Sequence, residues 1–265
     1  MLRIKLDVKL IQQNLDQAHI SAQFHYYEQL DSTNLQAKRT AQQAVPLTQA
    51  HVFVANQQTN GYGRLNRDFY SPQDTGLYIS FLIPMKTGIQ FHPGLLTTMT
   101  AVASLETIEA YFPVKLQIKW VNDLILDQHK VGGILAEAVT DPVSNQLKAI
   151  VIGIGVNLAT KIFPKELEDI AISLSDQSHE PPQTEFVSAF IQHFFERLKT
   201  YSTGDFMPVY RKRSSVIGHH VEVQYQNQTV TGQVLDVNDE GALVLRTAKT
   251  ILQVTSGEII RVRTV

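Results

Sequence analysis

The spacing of apolar residues predicts two long helices and a series of short strands. Thr184 to Tyr201 carries aromatic and aliphatic residues at helical spacing, and Leu95 to Tyr111 does so less strictly, which predicts a buried face on each helix. Apolar or alternating runs predict strands at His51 to Ala55, Leu77 to Ile83, Lys115 to Trp120, Leu124 to Leu126, Val131 to Val139 and Leu147 to Leu158. Residues 1–24 predict a small peripheral helix, and residues 161–182 an irregular segment.

The connections between these strands predict the fold class. Most are hairpin-length turns and not helical crossovers, which favours an α+β fold with a mixed, mainly antiparallel sheet backed by helices over a doubly wound parallel sheet. Short alternating strands after Ile217 predict a small C-terminal β-barrel of SH3-like size. We therefore predict two domains, residues 1–215 and 216–265.

Another helix is predicted after the polar segment Asp31-Ser32-Thr33-Asn34. Thr33 and Gln36 have the spacing of a capping box, and Leu35 to Ala44 is rich in helix formers until Pro46 ends it. On this interpretation the Thr33 hydroxyl caps the helix.

Composition excludes several classes of function. The chain has 265 residues, enough for an enzyme core, and 23 Lys+Arg against 25 Asp+Glu give no overall positive field for nucleic acid or acidic membranes. The chain has no cysteine, which excludes a thiolate nucleophile and a Cys-ligated zinc site. Its nine histidines form no HExxH pattern, so we predict no metal ion held by the protein itself. No hydrophobic run has signal-peptide or membrane-spanning character, which predicts a soluble, cytoplasmic protein.

A glycine- and arginine-containing stretch from Gly61 to Arg67 is the main candidate for chemistry. Its glycines permit positive φ and close approach of the main chain to a ligand, while Arg64 and Arg67 present guanidinium groups suited to phosphate or carboxylate. Asn60-Gly61 is also a common hairpin turn, which leaves an ordinary turn open for this stretch taken alone. Asn66 stands where GxGxxG has its third glycine, so a dinucleotide fold is not favoured.

Several motifs together resemble those of the biotin protein ligases. They occur in the family's order and are Asp31-Ser32-Thr33-Asn34, Gly61 to Arg67, Lys119-Trp120-Val121-Asn122-Asp123, Lys130 to Leu135, and Gly153 to Leu158. With the C-terminal barrel, the resemblance covers about residue 25 to the end of the chain. It implies a fold related to class II aminoacyl-tRNA synthetases, conversion of biotin and ATP to biotinyl-5′-adenylate with Mg²⁺, and transfer of biotin to a carrier lysine.

The resemblance also implies roles for individual residues. Ser32, Thr33 and Gln58 would hydrogen-bond the ureido ring of biotin, Lys130 would bind its carboxylate, and Asp123 would position or deprotonate the carrier lysine. The implied catalytic residues are Lys130, Arg64 and Asp123. The implied biotin-binding residues are Ser32, Thr33, Asn34, Gln58, Gly61, Tyr62, Gly63, Arg64, Lys130, Gly132 and Gly133. The implied ATP- or adenylate-binding residues are Arg64, Arg67, Phe69, Asn122, Lys130 and Asn157, with Asn122 and Asn157 orienting phosphate and magnesium.

The loop departs from the family pattern at several positions. The family usually has Arg where Tyr62 stands, Gly at Asn66, and Lys-Trp at Asp68-Phe69, while Val121 replaces a customary proline. Tyr62 removes a positive charge and Asp68 adds a negative one. We therefore expect weaker retention of the adenylate, or a less ordered loop, but retained catalysis.

The resemblance names a partner and leaves alternatives open. The partner would be a biotin carboxyl carrier protein, as an acetyl-CoA carboxylase subunit or in pyruvate carboxylase. Only about 24 residues precede the catalytic region, without a basic recognition helix, so we predict no DNA binding. An exposed sheet edge would support a homodimer or the carrier complex. A lipoate or octanoate ligase, and a catalytically silent biotin-binding or carrier-docking protein, are the alternatives.

Overall fold

The computed structural model describes residues 6–44, 46–85, 91–175 and 182–263. The first five residues of the predicted N-terminal helix and positions 176–181 of the predicted irregular segment lie outside this range. Residues 161–175 contain neither a helix nor a strand, as predicted. None of the described helices combines the length and hydropathy needed to cross a membrane.

A seven-stranded mixed sheet forms the larger part of the molecule. Its strands are β1 Ala22–Tyr27, β2 Ala50–Ala55, β3 Gly76–Pro84, β4 Gln117–Lys119, β5 Asp123–Leu126, β6 His129–Thr140 and β7 Leu147–Asn157. They lie in the order β1-β2-β3-β7-β6-β5-β4, with β1 and β2 parallel and the other neighbours antiparallel. The predicted mixed, mainly antiparallel sheet is confirmed.

Helices cover both faces of this sheet, and strand alternation decides what each face presents. The helices are α1 Val8–Gln17, α2 Thr33–Gln43, α3 Pro93–Tyr111, α4 Gln183–Thr200 and α5 Met207–Arg213. The larger core joins α1, α3 and α4 to one face, where the rings of Phe81 and Phe194 stack with centroids 3.7 Å apart. Helix α2 packs Ala37 and Ala41 on the opposite face, against Phe53. The functional site described below lies on the α2 face.

The C-terminal strands form a second, five-stranded antiparallel sheet. They are β8 His220–Tyr225, β9 Gln228–Val237, β10 Leu243–Arg246, β11 Ile251–Val254 and β12 Glu258–Arg263. Their order is β11-β10-β9-β8-β12. Two long-range hydrogen bonds connect this part of the chain to residues outside it: Trp120, which follows β4, donates from Nε1 to the Gly241 carbonyl at 3.0 Å, and Arg211 of α5 donates from Nε to the Val237 carbonyl at 2.6 Å.

Three local predictions were wrong. The helix predicted over residues 1–24 ends at Gln17, and β1 follows it, stabilised by pairing with β2. Helix α5 was not predicted, because its seven residues are too few for a periodic pattern. The capping box is absent: Ser32 is the N-cap of α2 without a side-chain capping bond, and Thr33 is the first helical residue. The Thr33 hydroxyl is used elsewhere.

Candidate active site

A cavity of about 590 Å³ lies on the α2 face of the large sheet, beside the loop from Gly61 to Phe69. The structure brings most of the predicted site residues to its wall. These are Ser32, Thr33, Asn34, Gln58, Tyr62, Gly63, Arg64, Arg67, Phe69, Asn122, Asp123, Lys130, Gly133 and Asn157. Gly61 and Gly132 do not line it. One cavity therefore gathers residues from five separate motifs.

Glycines on two neighbouring strands leave space for the cavity floor. Gly133 of β6 pairs with Gly155 of β7, and Gly153 lies two residues before Gly155 on the same face. A Cβ added at Gly153 would collide with the Asn34 side chain, and one at Gly155 with the Phe69 ring. These glycines are therefore required for close approach of neighbouring side chains and not for unusual backbone angles. Gly132 faces the opposite side, where an added Cβ would lie 2.7 Å from the Gly155 carbonyl oxygen.

Neutral polar groups form a connected network at one end of the cavity. Gln58 Oε1 accepts from the Thr33 backbone N–H at 2.9 Å and from the Thr33 hydroxyl at 3.1 Å, and Gln58 Nε2 donates to Ser71 Oγ at 2.9 Å. Buried Ser80 places its Oγ 2.7 Å from Thr33 Oγ1 and 2.5 Å from Asn34 Oδ1. Because the Thr33 N–H can only donate, Gln58 must present its amide oxygen to Thr33, which leaves one N–H of its amide group for a ligand.

Ser32 is held beside this network by its backbone. Its N–H donates to Asp31 Oδ1 at 2.7 Å, and Arg39 donates to both Asp31 oxygens at 2.7 Å. The hydrogen bond from Arg39 is the main reason why the pKa of Asp31 is lowered. The Ser32 side chain forms no capping bond and lines the cavity, so its hydroxyl is available to a ligand.

The loop adopts a conformation different from the one expected for its glycines. Positive φ angles occur at Leu65 (57°) and Asn66 (55°), and neither Gly61 nor Gly63 has one. Asn tolerates this left-handed region, which explains how Asn66 replaces a glycine, whereas Leu65 is strained there and is 71% exposed. At Gly61 the main chain lies close to neighbouring side chains, because an added Cβ would lie 2.6 Å from Ser71 Oγ and 2.8 Å from Gln58 Nε2.

The two loop arginines have different partners. Arg64 Nη1 donates to Asn122 Oδ1 at 3.2 Å, and Asn122 Nδ2 donates to the Ile134 carbonyl at 3.0 Å, so Arg64 is directed across the cavity. Arg67 forms an ion pair with Glu258 of the C-terminal sheet. The loop therefore contacts both sheets.

Lys130 and Asp123 form an ion pair on the cavity wall. Lys130 Nζ lies 2.6 Å from Asp123 Oδ1. Asp123 pairs with Gly133 in the strand register, and an added Cβ at Gly133 would lie 3.1 Å from Lys130 Nζ, so Gly133 provides the space that the ammonium occupies. A lysine ammonium and a carboxylate thus lie side by side on the cavity wall.

An aromatic wall and a buried amide complete the site. The Phe69 ring lies over Gly155 and meets Tyr78 edge to face, with centroids 6.4 Å apart. Asn157, which is 5% exposed, donates from Nδ2 to the Ile172 carbonyl at 3.3 Å. Its amide oxygen takes no part in this bond and is available to accept a hydrogen bond or to bind a hydrated cation.

Sequence reasoning missed Lys38, Glu137, Ser71 and Ser80. Glu137 Oε2 accepts from Asn34 Nδ2 and from the Tyr62 hydroxyl, both at 2.8 Å, and Lys38 Nζ lies 2.5 Å from Glu137 Oε1. One signal was present: Glu137 lies four residues after Gly133 on a predicted strand, so alternation places its side chain on the cavity face. Lys38 had no such signal.

Sequence comparisons identify the family of this architecture. A model of the biotin/lipoate A/B protein ligase family matches residues 26–157, and a model of the biotin protein ligase C-terminal domain matches residues 216–262. The bifunctional ligase/repressor BirA of Bacillus subtilis (strain 168) is 32% identical over 243 residues, covering 88% of this chain and 72% of BirA. The biotin–[acetyl-CoA-carboxylase] ligase of Mycobacterium tuberculosis is 27% identical over 219 residues, covering 80% of this chain and 79% of that protein.

Structure comparison agrees on the fold. The biotin protein ligase of Aquifex aeolicus, solved in complex with biotin and ATP, superposes with a TM-score of 0.76 at 24% identity, covering 91% of this chain and 98% of that one. The likeness includes both sheets, because almost the whole of the solved chain is matched. The sequence matches and the shared fold together show that this chain belongs to the biotin protein ligase family.

Proposed function

We propose that this chain is an ATP-dependent biotin protein ligase, which forms biotinyl-5′-adenylate and then transfers biotin to a lysine ε-amine of a biotin carboxyl carrier protein. The observation that carries the proposal is that the wall of one cavity carries both a neutral hydrogen-bonded network, called here the neutral end, and two cationic side chains, called the cationic end. The neutral end contains Ser32, Thr33 and Gln58, and the cationic end contains Arg64 and Lys130. A molecule with an uncharged polar head and a carboxylate tail matches that combination.

The neutral end suits a ureido ring. A cyclic urea has one carbonyl acceptor and two N–H donors and carries no charge, so it requires neutral partners in a largely enclosed site. The Ser32 hydroxyl and the second N–H of Gln58 can donate to the ureido carbonyl. The Ser32 and Asn34 oxygens can accept from the ring N–H groups. The dithiolane ring of lipoate has no such groups and would leave these polar atoms unpaired.

The cationic end suits the activation step. A carboxylate oxygen of biotin attacks the α-phosphorus of ATP, a P–O bond forms, and the bond to the β-phosphate breaks with release of pyrophosphate. Both reactants are anions, so positive charge is needed to bring them together and to stabilise the transition state. We assign Lys130 to the biotin carboxylate and the α-phosphate, Arg64 and Arg67 to the phosphates, and Phe69 to the adenine face.

The transfer step uses the carboxylate beside Lys130. The carrier amine attacks the acyl carbon of the adenylate, the acyl–phosphate bond breaks, and AMP leaves with the bond electrons. Asp123, 2.6 Å from Lys130, lies where it can orient the incoming ammonium or accept its proton. An amine is nucleophilic only after this proton has left.

Magnesium would enter with ATP. The described part of the chain has no group of three or more His, Cys, Asp or Glu side chains placed to hold a metal ion. Mg²⁺ commonly binds substrate phosphates with few protein ligands, and the Asn122 and Asn157 amide oxygens are the candidates here. The carrier, from acetyl-CoA carboxylase or pyruvate carboxylase, is part of the proposal, whereas the absence of DNA binding and the homodimer stay predictions from the sequence.

A transfer assay tests the function. The purified chain is incubated with biotin, MgATP and an isolated biotin carboxyl carrier domain, and the carrier mass is measured. We expect one added biotinyl group, which is lost when the acceptor lysine is replaced by arginine. An unmodified carrier, together with no biotinyl-5′-adenylate in the reaction, would contradict the proposal.

A further inference from the structure

Tyr62 connects the first part of the loop to an ion pair beneath it. Its hydroxyl donates to Glu137 Oε2 at 2.8 Å and accepts from Lys38 Nζ at 3.1 Å, while Lys38 Nζ lies 2.5 Å from Glu137 Oε1. The ammonium also lies 5.6 Å from the centre of the Tyr62 ring. We call Tyr62, Lys38 and Glu137 the loop clasp.

The clasp is more enclosed than an ordinary surface ion pair. The Lys38 and Glu137 side chains are 28% and 21% exposed, against 43% and 38% for the Arg39 and Asp31 side chains of the neighbouring ion pair. Burial is the largest effect raising the pKa of Tyr62, so its hydroxyl keeps its proton and remains a donor to Glu137. Burial opposes the charge of Lys38, but its contacts with Glu137 and Tyr62 raise the lysine pKa overall. A hydrogen bond to a charged partner in this setting is stronger than one at the surface.

Glu137 does not line the cavity, but it holds Asn34, which does. The same Oε2 atom that accepts from Tyr62 accepts from Asn34 Nδ2 at 2.8 Å, and Asn34 Oδ1 lies 2.5 Å from Ser80 Oγ. Tyr62 itself contacts neither Asn34 nor Ser80 by a hydrogen bond. Tyr62→Phe therefore removes one of the two donors to this oxygen and keeps the bond from Asn34, whereas a change at Glu137 affects both donors.

The rest of the loop shows which part the clasp holds. The Phe69 N–H donates to the Gly61 carbonyl at 2.9 Å, and the Gly63 N–H to the Arg67 carbonyl at 2.8 Å, so the loop is narrow at its base. Its tip contains Leu65 and Asn66, which are exposed and have positive φ. Tyr62 thus attaches the base of the loop to β6 through Glu137, two residues before Arg64.

We propose that Tyr62, Lys38 and Glu137 are positioning residues that anchor the loop over the acyl-adenylate and set how slowly it leaves the cavity. Lys38 supplies, from helix α2, a fixed positive charge next to the uncharged Tyr62. The proposal rests on the proposed function, because it concerns retention of the intermediate of that reaction.

The test compares retention of the intermediate in Tyr62→Phe and in the unchanged enzyme. Each is loaded with radiolabelled biotin and MgATP, and release of biotinyl-5′-adenylate is followed after dilution into unlabelled biotin and ATP, without carrier. We expect release from Tyr62→Phe to be about tenfold faster, and the KM for biotin to rise by a smaller factor because the ring stays on the cavity wall. Tyr225→Phe, which removes a hydroxyl that accepts from Gln226 in the C-terminal sheet, is the matched control and should release at the unchanged rate.

A second variant shows whether the effect passes through Glu137. Glu137→Gln should accelerate release and also raise the KM for biotin, and adding Tyr62→Phe to it should accelerate release no further. The proposal would be overturned if Tyr62→Phe and the unchanged enzyme released biotinyl-5′-adenylate at the same rate. It would also be overturned if the two substitutions changed that rate fully independently. If the unchanged enzyme forms no adenylate at all, the proposed function fails first, which is a separate outcome.

Discussion

Lys130 Nζ lies 2.6 Å from Asp123 Oδ1, so the cation assigned to activation and the carboxylate assigned to transfer neutralise each other before substrate binds. In the proposed mechanism, a biotin carboxylate that enters the cavity competes with Asp123 for the ammonium. After the acyl-adenylate has formed, Asp123 would be free to interact with the carrier ammonium. The pair would thus connect the two half-reactions through one shared lysine.

Replacement of Lys130 by alanine should slow the first half-reaction. The variant loses the positive charge that we assign to the biotin carboxylate, and it leaves Asp123 without its ion-pair partner. We therefore expect the rate of adenylation to fall by on the order of 10²-fold or more. Biotin-dependent exchange of pyrophosphate into ATP measures this step without a carrier. Lys115→Ala, an exposed lysine outside the cavity, is the control. Exchange near the normal rate in Lys130→Ala would remove Lys130 from the mechanism.

Asp123→Asn should separate the two half-reactions. The amide keeps the shape of the carboxylate but cannot accept the proton of the carrier lysine. We expect pyrophosphate exchange to stay within about threefold of normal, while single-turnover transfer from preformed adenylate falls by about tenfold or more. An equal loss in both assays would show that Asp123 acts only by holding Lys130.

Alanine substitutions at Gly61 and Gly63 should differ in effect. A Cβ at Gly61 would lie 2.6 to 2.8 Å from Ser71 Oγ, the Phe69 carbonyl oxygen and Gln58 Nε2, whereas the nearest atom at Gly63 would be 3.8 Å away. Gly61→Ala must displace Gln58 or the loop, and we expect the KM for biotin to rise by about tenfold. Titration calorimetry and steady-state kinetics measure the change. Equal losses in the two variants would show that steric space at Gly61 is not the determinant.

Two histidines should make stability depend on pH. His25 Nε2 and His51 Nδ1 are 3.0 Å apart on neighbouring strands. Burial lowers the pKa of His51, and burial together with the charge of His51 lowers that of His25, below the value of 6.5 for an unfolded chain. The unfolded state therefore binds more protons below that pH, and stability is lost as the pH falls through 6.5.

Thermal melts at about pH 7.5 and about pH 5.5 test this dependence. His51→Gln keeps a hydrogen-bonding side chain but removes one titrating group, so its Tm should fall less between the two pH values than that of the unchanged protein. His220→Gln, at an exposed position of β8, provides the comparison. An unchanged pH dependence in His51→Gln would exclude the histidine pair as the cause.

Elements with strong periodicity were predictable, and those that depend on distant partners were not. Helix α4 and strands β3 and β7 carry clear apolar patterns, and the structure has them close to their predicted bounds. Strand β1 has only a weak apolar pattern and is stabilised by parallel pairing with β2. Each pair joins residues 28 positions apart in the chain, such as Ala22 and Ala50. Tertiary pairing overrides local preference there.

The same distinction applies to the site. Motifs and their order predicted the residues around the cavity, because each motif is continuous in the chain. The partners that orient those residues come from elsewhere: Glu258, which pairs with Arg67, is 191 residues away, and Glu137 is 99 residues from Lys38. Tertiary packing brings such groups together: Lys38 of α2 meets Glu137 of β6, and Arg67 of the loop meets Glu258 of β12.

The central claim is tested most directly by measuring which carboxylic acid substrate makes the chain release pyrophosphate from ATP. The chain is incubated with MgATP and, separately, with biotin, lipoate or octanoate, and pyrophosphate is measured without a carrier protein. The combination of a neutral and a cationic end in the cavity predicts pyrophosphate release with biotin. With lipoate or octanoate, release should not exceed that of a reaction without any of the three acids. Release with lipoate or octanoate equal to that with biotin, or binding of biotin without any release, would contradict it.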